Sequence, residues 1–168
     1  MAHLETTEQA LRNRGVSRRD FMKFCALTAV ALGLGPGADL AIAQALSTKP
    51  RLPVLWINGL SCSCCTESFL RTAHPLATDI VLSMITMDYQ DTIMAAAGDQ
   101  ANAAYEEAIH KYKGQYILAV EGNVPLNGQG MYCIDGGKPF YEKLKEGVEH
   151  AKALVAWGTC ASWGCVQA

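Results

Sequence analysis

Apolar and polar positions divide the chain into two regimes. Up to about residue 45 a basic stretch, Ser17-Arg18-Arg19-Asp20-Phe21-Met22-Lys23, gives way to an uncharged run over 24–35. Small residues follow, ending Ala41-Ile42-Ala43-Gln44-Ala45. From Pro53 onward, short β-rich runs alternate with stretches of helical spacing. Residues 53–57 predict a buried strand stopped by Asn58-Gly59, and 62–73 a loop entering a short helix with Phe69 and Leu70 turned inward. Residues 80–88 predict a second strand. Apolar positions at Ala101, Ala104, Tyr105, Ala108 and Ile109 predict a helix over 101–111. A third strand is expected at 116–120, a glycine-rich turn region at 122–137, an amphipathic helix at 140–151 and a fourth strand at 153–157.

Four strands separated by helices predict an α/β fold, a flavodoxin-like parallel sheet with helices on both faces. Sites in such sheets gather at the carboxyl ends of the strands. The chemically versatile residues lie there: Cys62 to Cys65 after the first strand, Glu121 after the third, Cys160 and Cys165 after the fourth. Cys165-Val166-Gln167-Ala168 reads as the start of a helix with no stop, so the chain is expected to break off within a domain.

The N-terminal pattern has the three parts of an export signal: basic segment, short apolar segment and A-x-A-like cleavage site. The 12-residue run would form a helix of about 18 Å, too short for a bilayer core of about 30 Å. Arg18-Arg19 followed by Phe and Lys resembles the twin-arginine class, which exports folded proteins, often with a cofactor already inserted. A signal over 1–45 is expected, cleaved after Ala45 or alternatively Ala43, with Cys25 leaving in the signal. The mature part, 46–168, is then expected in the periplasm or on the outer face of the cytoplasmic membrane.

Composition narrows the classes. In 168 residues, 50% hydrophobic and 18% charged, there is room for one ordinary domain and no sign of a disordered tail. Fourteen basic against 16 acidic residues give a net charge of −2 and no basis for nucleic-acid binding.

Seven cysteines, five of them in two tight groups, change the picture most. Cys62-Ser63-Cys64-Cys65 and Cys160 with Cys165 suit three chemistries. Disulfides fit the exported compartment, but five is odd and the adjacent pair Cys64–Cys65 closes only with strain. Zinc would use Cys62 and Cys65 as one knuckle, yet 160 and 165 are spaced too widely for a second. An iron–sulfur cluster accepts thiolates from distant loops and begins with C-x-x-C.

Long stretches of the chain resemble the small subunits of nickel–iron hydrogenases. The resemblance is carried by Trp56-Ile57-Asn58-Gly59-Leu60-Ser61-Cys62-Ser63-Cys64-Cys65-Thr66-Glu67-Ser68-Phe69-Leu70-Arg71 and Ala73-His74-Pro75-Leu76. Asp88-Tyr89 with Met94-Ala95-Ala96-Ala97-Gly98, Val120-Glu121-Gly122-Asn123, and Trp157-Gly158-Thr159-Cys160-Ala161-Ser162-Trp163-Gly164-Cys165 follow in the same order. It implies a subunit that carries electrons while a partner large subunit holds the nickel–iron centre. It also implies that Cys62, Cys65 and Cys160 match three of the four ordinary ligands of a proximal 4Fe–4S cluster, the fourth lying past Ala168.

Cys64 and Cys165 stand where the family usually has glycine. This resembles the oxygen-tolerant, membrane-bound subgroup, whose six cysteines hold a 4Fe–3S cluster and in which Glu121 would approach an iron of the oxidised form. The resemblance further implies 3Fe–4S and 4Fe–4S clusters in a C-terminal part not included here, and a membrane cytochrome b or other electron acceptor. The rival readings are an electron-transfer subunit of a related quinone-linked complex and a secreted, disulfide-stapled binding protein. Of the remaining residues, Cys133 is expected to be a small buried thiol, and His74 a turn residue. His110 and His150 should be solvated, Glu67 either a surface acid or a buried relay carboxylate, and Trp157 and Trp163 packed around the site.

Overall fold

The computed structural model describes residues 6–31, 33–48 and 50–167, which fall into two compact units. Most of the first 51 residues form one, and most of 52–168 the other. Leu32, within the apolar run, and Ala168 lie outside the described residues.

The N-terminal unit is three helices, α1 (Thr7–Asn13), α2 (Arg18–Ala31) and α3 (Ala38–Thr48). Thr6 starts α1 through a capping box with Gln9, satisfying two N–H groups that the first turn leaves free. At the start of α2 the Ser17 Oγ accepts the Asp20 N–H at 3.2 Å and donates to Asp20 Oδ2 at 2.6 Å. Arg18 and Arg19 sit exposed on the first turn. Phe21, Cys25, Ala43 and Leu46 form the small core of this unit. The expected cleavage positions after Ala43 and Ala45 fall inside α3. Among the described residues no helix is long and apolar enough to cross a membrane.

The second unit is the predicted α/β sheet. Strands β1 (Leu52–Asn58), β2 (Ile85–Gln90), β3 (Ile117–Glu121) and β6 (Ala153–Trp157) pair in the order β2-β1-β3-β6, all parallel. Helices α4 (Cys64–Leu70), α5 (Ala77–Ser83), α6 (Asp99–Lys111), α7 (Phe140–His150) and α8 (Gly158–Trp163) connect or follow them. In the glycine-rich region lie a 3-10 turn and a two-stranded hairpin, β4 (Ile134–Asp135) and β5 (Lys138–Pro139). The central strands are apolar on both faces, as a covered parallel sheet requires, with Leu55, Ile57 and Leu118 fully buried. Helix α7 turns Phe140, Lys143 and Gly147 inward at helical spacing.

Two sequence expectations fail. Residues 80–83 belong to α5 rather than to a strand, which starts only at Ile85. Their β propensity is overridden by packing: on a helix, Ala77, Ile80 and Val81 lie one turn apart and meet Val54, Trp56, Phe69 and Ala119. Asp79 assists by accepting the Leu76 N–H at 3.2 Å. Leu70 is not inward either. Helix α4 buries Thr66 and Phe69, and leaves Leu70 44% exposed.

Strand β6 is exposed along its length, Leu154, Val155 and Trp157 included. Its outer edge pairs with no other strand among the described residues.

Candidate metal centre

Register alone brings the site together. Asn58 at the end of β1 pairs with Glu121 at the end of β3, and Glu121 with Trp157 at the end of β6. The two cysteine segments therefore leave from the strands on either side of Glu121. Backbone pairing fixes their departure: the Gly59 N–H donates to the Glu121 carbonyl at 2.8 Å, and Leu60 and Asn123 exchange two bonds at 3.0 Å. Asn123 then reaches the other segment, its Nδ2 donating to the Gly164 carbonyl at 3.0 Å.

Gly158 sets how closely the two segments approach. Its φ is +81°, and a β-carbon there would lie 2.4 Å from the Cys65 sulfur. Only a residue without a side chain lets α8, carrying Cys160, start this close to Cys65.

Glu121 is the best-anchored polar group of the site. It is 1% exposed. Its Oε1 accepts the Cys65 N–H at 3.1 Å. Its Oε2 accepts the Thr66 N–H at 3.1 Å, the Thr66 hydroxyl at 2.6 Å and the Trp56 indole N–H at 3.3 Å. Every contact offers a hydrogen, so the desolvation of a buried carboxylate is offset by its neighbours. The start of α4, which carries Cys64 and Cys65, is pinned by this one side chain.

The five thiols are electrostatic neighbours. Cys62 and Cys64 perturb each other's titration, as do Cys160 and Cys165, and the Thr159 hydroxyl donates to the Cys165 sulfur at 3.8 Å. Across the segments, Cys160 senses Cys62 and Cys65. Burial, with added repulsion from Glu121 and Cys62, holds the Cys65 thiol above its ordinary pKa. Burial also raises Cys160, and the Cys62 contact raises Cys64. Hydrogen bonds from Cys64 lower Cys62, and those from the Val166 backbone and Thr159 lower Cys165.

Deprotonating all five thiols would thus set like charges against one another beside a carboxylate. A cationic inorganic core removes that penalty. Among the described residues no three His, Cys, Asp or Glu side chains converge tightly enough to grip a single metal ion. A multi-iron core makes no such demand, because each iron takes its own thiolate. The donor set fits that group.

The sequence candidates are thereby sorted. Cys62, Cys64, Cys65, Cys160 and Cys165 are brought to one end of the sheet, exposed or half-buried, and Glu121 lies beneath them. Trp157 packs on Trp56, ring centroids 4.8 Å apart, and edge-on to Phe69. Trp163, expected to pack here, is instead 83% exposed. Glu67 is a surface acid, 3.3 Å from Arg71 one turn on. Cys133 is half-buried in the wall of a separate cavity of about 510 Å³ shared with Tyr89, Asp91 and Asp135.

Sequence reasoning missed the supports. Trp56 and Thr66 donate to Glu121, and Gln90 to Thr66, yet nothing in their spacing points to that acid. It also missed Lys143, 7% exposed, whose Nζ donates to Tyr89 at 2.7 Å and to Asp135 and lies 3.5 Å from Asp91. Asp91 in turn accepts the Asn58 N–H at 2.7 Å, which ties this buried cluster to the end of β1.

Four parallel strands with connecting helices make this a flavodoxin-like α/β domain, and five cysteines lie at the carboxyl ends of its strands. Residues 62–168 match the family described as NADH ubiquinone oxidoreductase, 20 Kd subunit, and the chain belongs to that family. Over its full length it is 63% identical to the uptake hydrogenase small subunit of Azotobacter vinelandii and 64% to that of Rhizobium leguminosarum bv. viciae. It spans 47% of each of these, about half the length of the curated relatives it matches. Among solved structures, the [NiFeSe] hydrogenase from Desulfovibrio vulgaris Hildenborough matches with a TM-score of 0.69 and 35% identity. That match covers 72% of this chain and 44% of the other.

Proposed function

We propose that this chain is the electron-carrying small subunit of a nickel–iron uptake hydrogenase, taking electrons released from H₂ in a large subunit through a proximal iron–sulfur cluster. The observation that carries the reading is that the Cys62–Cys65 and Cys160–Cys165 segments leave neighbouring strand ends with Gly158 against the Cys65 sulfur, and that buried Glu121 between them holds the Cys65 N–H. It occurs in a chain 63% identical to a protein of that name. When bound, such a cluster supplies reversible electron storage at a potential set by its ligands and their hydrogen bonds.

The chain's own residues position the rest. Cys62, Cys65 and Cys160 would hold three irons, and Glu121 fixes the first segment through the Cys65 and Thr66 N–H groups. Cys64 and Cys165 are the two additional donors of a 4Fe–3S core, and their presence supports the oxygen-tolerant form over an ordinary 4Fe–4S one. A fourth ordinary ligand, and 3Fe–4S and 4Fe–4S clusters beyond it, would come from the part of the relatives' length that this chain does not span.

Around the cysteine segments Leu126, Tyr132, Trp163 and Val166 stand exposed. A cavity of about 620 Å³ lined by Leu60, Val124, Pro125, Leu126 and Tyr132 opens beside Gly164. Apolar exposure on this scale suits a partner subunit, here the large one. Arg18 and Arg19 on the first turn of α2 would serve as the twin-arginine export signal, delivering the complex to the outer face of the cytoplasmic membrane and to a cytochrome b or other acceptor.

Iron and acid-labile sulfide analysis with electron paramagnetic resonance on the full-length complex tests the reading. Bound iron and sulfide with an H₂-reducible cluster signal are expected. Paired cysteines and no iron would overturn it. The family description favours one second reading, a quinone-linked electron-transfer subunit; reduction of the cluster by NADH or quinol but not by H₂ would select it.

A further inference from the structure

We infer that Gln90, acting through the Thr66 hydroxyl, is a positioning residue that sets the charge Glu121 presents to the cysteine segments. The inference rests on the functional reading above and adds to it a control on the cluster's potential.

Three elements meet here: Gln90 ends β2, Thr66 lies on α4 and Glu121 ends β3. All three residues are at most 3% exposed. Gln90 Oε1 accepts the N–H groups of Thr92 at 2.6 Å and Ile93 at 2.7 Å, which locks the amide with Nε2 facing Thr66. Nε2 donates to Thr66 Oγ1 at 3.0 Å. An amide nitrogen only donates, so the hydroxyl is left to aim its single hydrogen at Glu121 Oε2, 2.6 Å away. The direction of the relay is therefore set from its two ends, the Gln90 donor and the Glu121 acceptor, with Gln90 one residue removed from Glu121 itself.

This controls the site because Glu121 bonds the Cys65 N–H and its charge is felt by Cys62, Cys64 and Cys65. A short bond from Thr66 spreads part of the carboxylate's negative charge onto the hydroxyl. Withdrawing that bond leaves more charge facing the cluster, which favours its oxidised, more positive forms. The midpoint potential then falls.

Gln90→Glu keeps the shape and both N–H contacts but presents a second acceptor to Thr66, which competes with Glu121 for the one hydroxyl hydrogen and adds a buried charge. Thr66→Val deletes the hydroxyl, and Thr66→Ser restores it. Redox titration of the cluster by electron paramagnetic resonance, in the full-length complex, reads the effect. Gln90→Glu and Thr66→Val should both shift the midpoint negative, with Thr66→Ser at the wild-type value and iron content unchanged in all three. If Thr66→Val fails to load iron, Thr66→Ala takes its place, because Gln90→Glu adds a charge of its own and supports the inference only together with a neutral Thr66 variant.

Iron-loaded Gln90→Glu titrating at the wild-type potential overturns the inference, as does a Thr66→Ser shift equal to that of Thr66→Val. A wild-type complex without iron overturns the functional reading and this inference with it. Unshifted potentials in iron-loaded variants overturn only the positioning role.

Discussion

Gly158→Ala places a methyl group 2.4 Å from the Cys65 sulfur at a backbone φ of +81°. The left-handed conformation alone costs an L-residue about 1–2 kcal/mol. Carbon and sulfur rest comfortably at about 3.5–4.0 Å, so more than about 1 Å must be recovered. The sulfur is the free end of a short side chain and escapes by rotating about χ1 out of its present place. Stability should therefore fall by only the backbone penalty, while Cys65, one of the three proposed ordinary ligands, leaves its place. Gly137→Ala is the control, with a φ of +78° and no atom within 4 Å of the added carbon. Urea unfolding of the metal-free chain, followed by tryptophan emission, should show similar losses for both variants. Iron per full-length complex should drop only in Gly158→Ala. Full iron occupancy in that variant would refute the assignment of Cys65 to the cluster.

Lys143→Met strands the half-buried Asp91 and Asp135, and the loss should be below the roughly 3–5 kcal/mol of breaking a fully buried pair from one side, measurable as a lowered urea midpoint. Asp91 supplies a pH test. Burial holds its carboxyl above the ordinary aspartate value in spite of Lys143, so the folded state keeps its proton to higher pH than the unfolded one. Stability contributed by this group falls as pH rises between the unfolded and folded values. Asp91→Asn, which can still accept the Asn58 N–H, should remove that part of the pH slope in unfolding titrations; an unchanged slope would be inconsistent with a raised value. Replacing Cys64 and Cys165 together by glycine should leave anaerobic H₂ oxidation largely intact in the complex and abolish activity in air. Retained air tolerance would refute the six-cysteine reading.

The strands were legible because each central one is a short apolar run closed by a turn residue, and in a parallel sheet buried on both faces that pattern has few other uses. Residues 80–83 were not, because Ile80 and Val81 suit a strand locally and only their contact with Trp56 and Phe69 makes them helical. Leu70 and Trp163 show the same limit: an apolar residue names no side until its neighbours are placed.

By itself the sequence determined the chemistry available, five thiols and one acid at the carboxyl ends of strands, since residue type and strand polarity fix both. The tertiary structure decided which of these face one another. Parallel register sets Asn58, Glu121 and Trp157 side by side. Gly158 admits Cys65. The hydrogens of Trp56, Cys65 and Thr66 then turn Glu121 from a strand-end acid into a buried anchor. Such convergence depends on residues dozens of positions apart, and no local pattern encodes it.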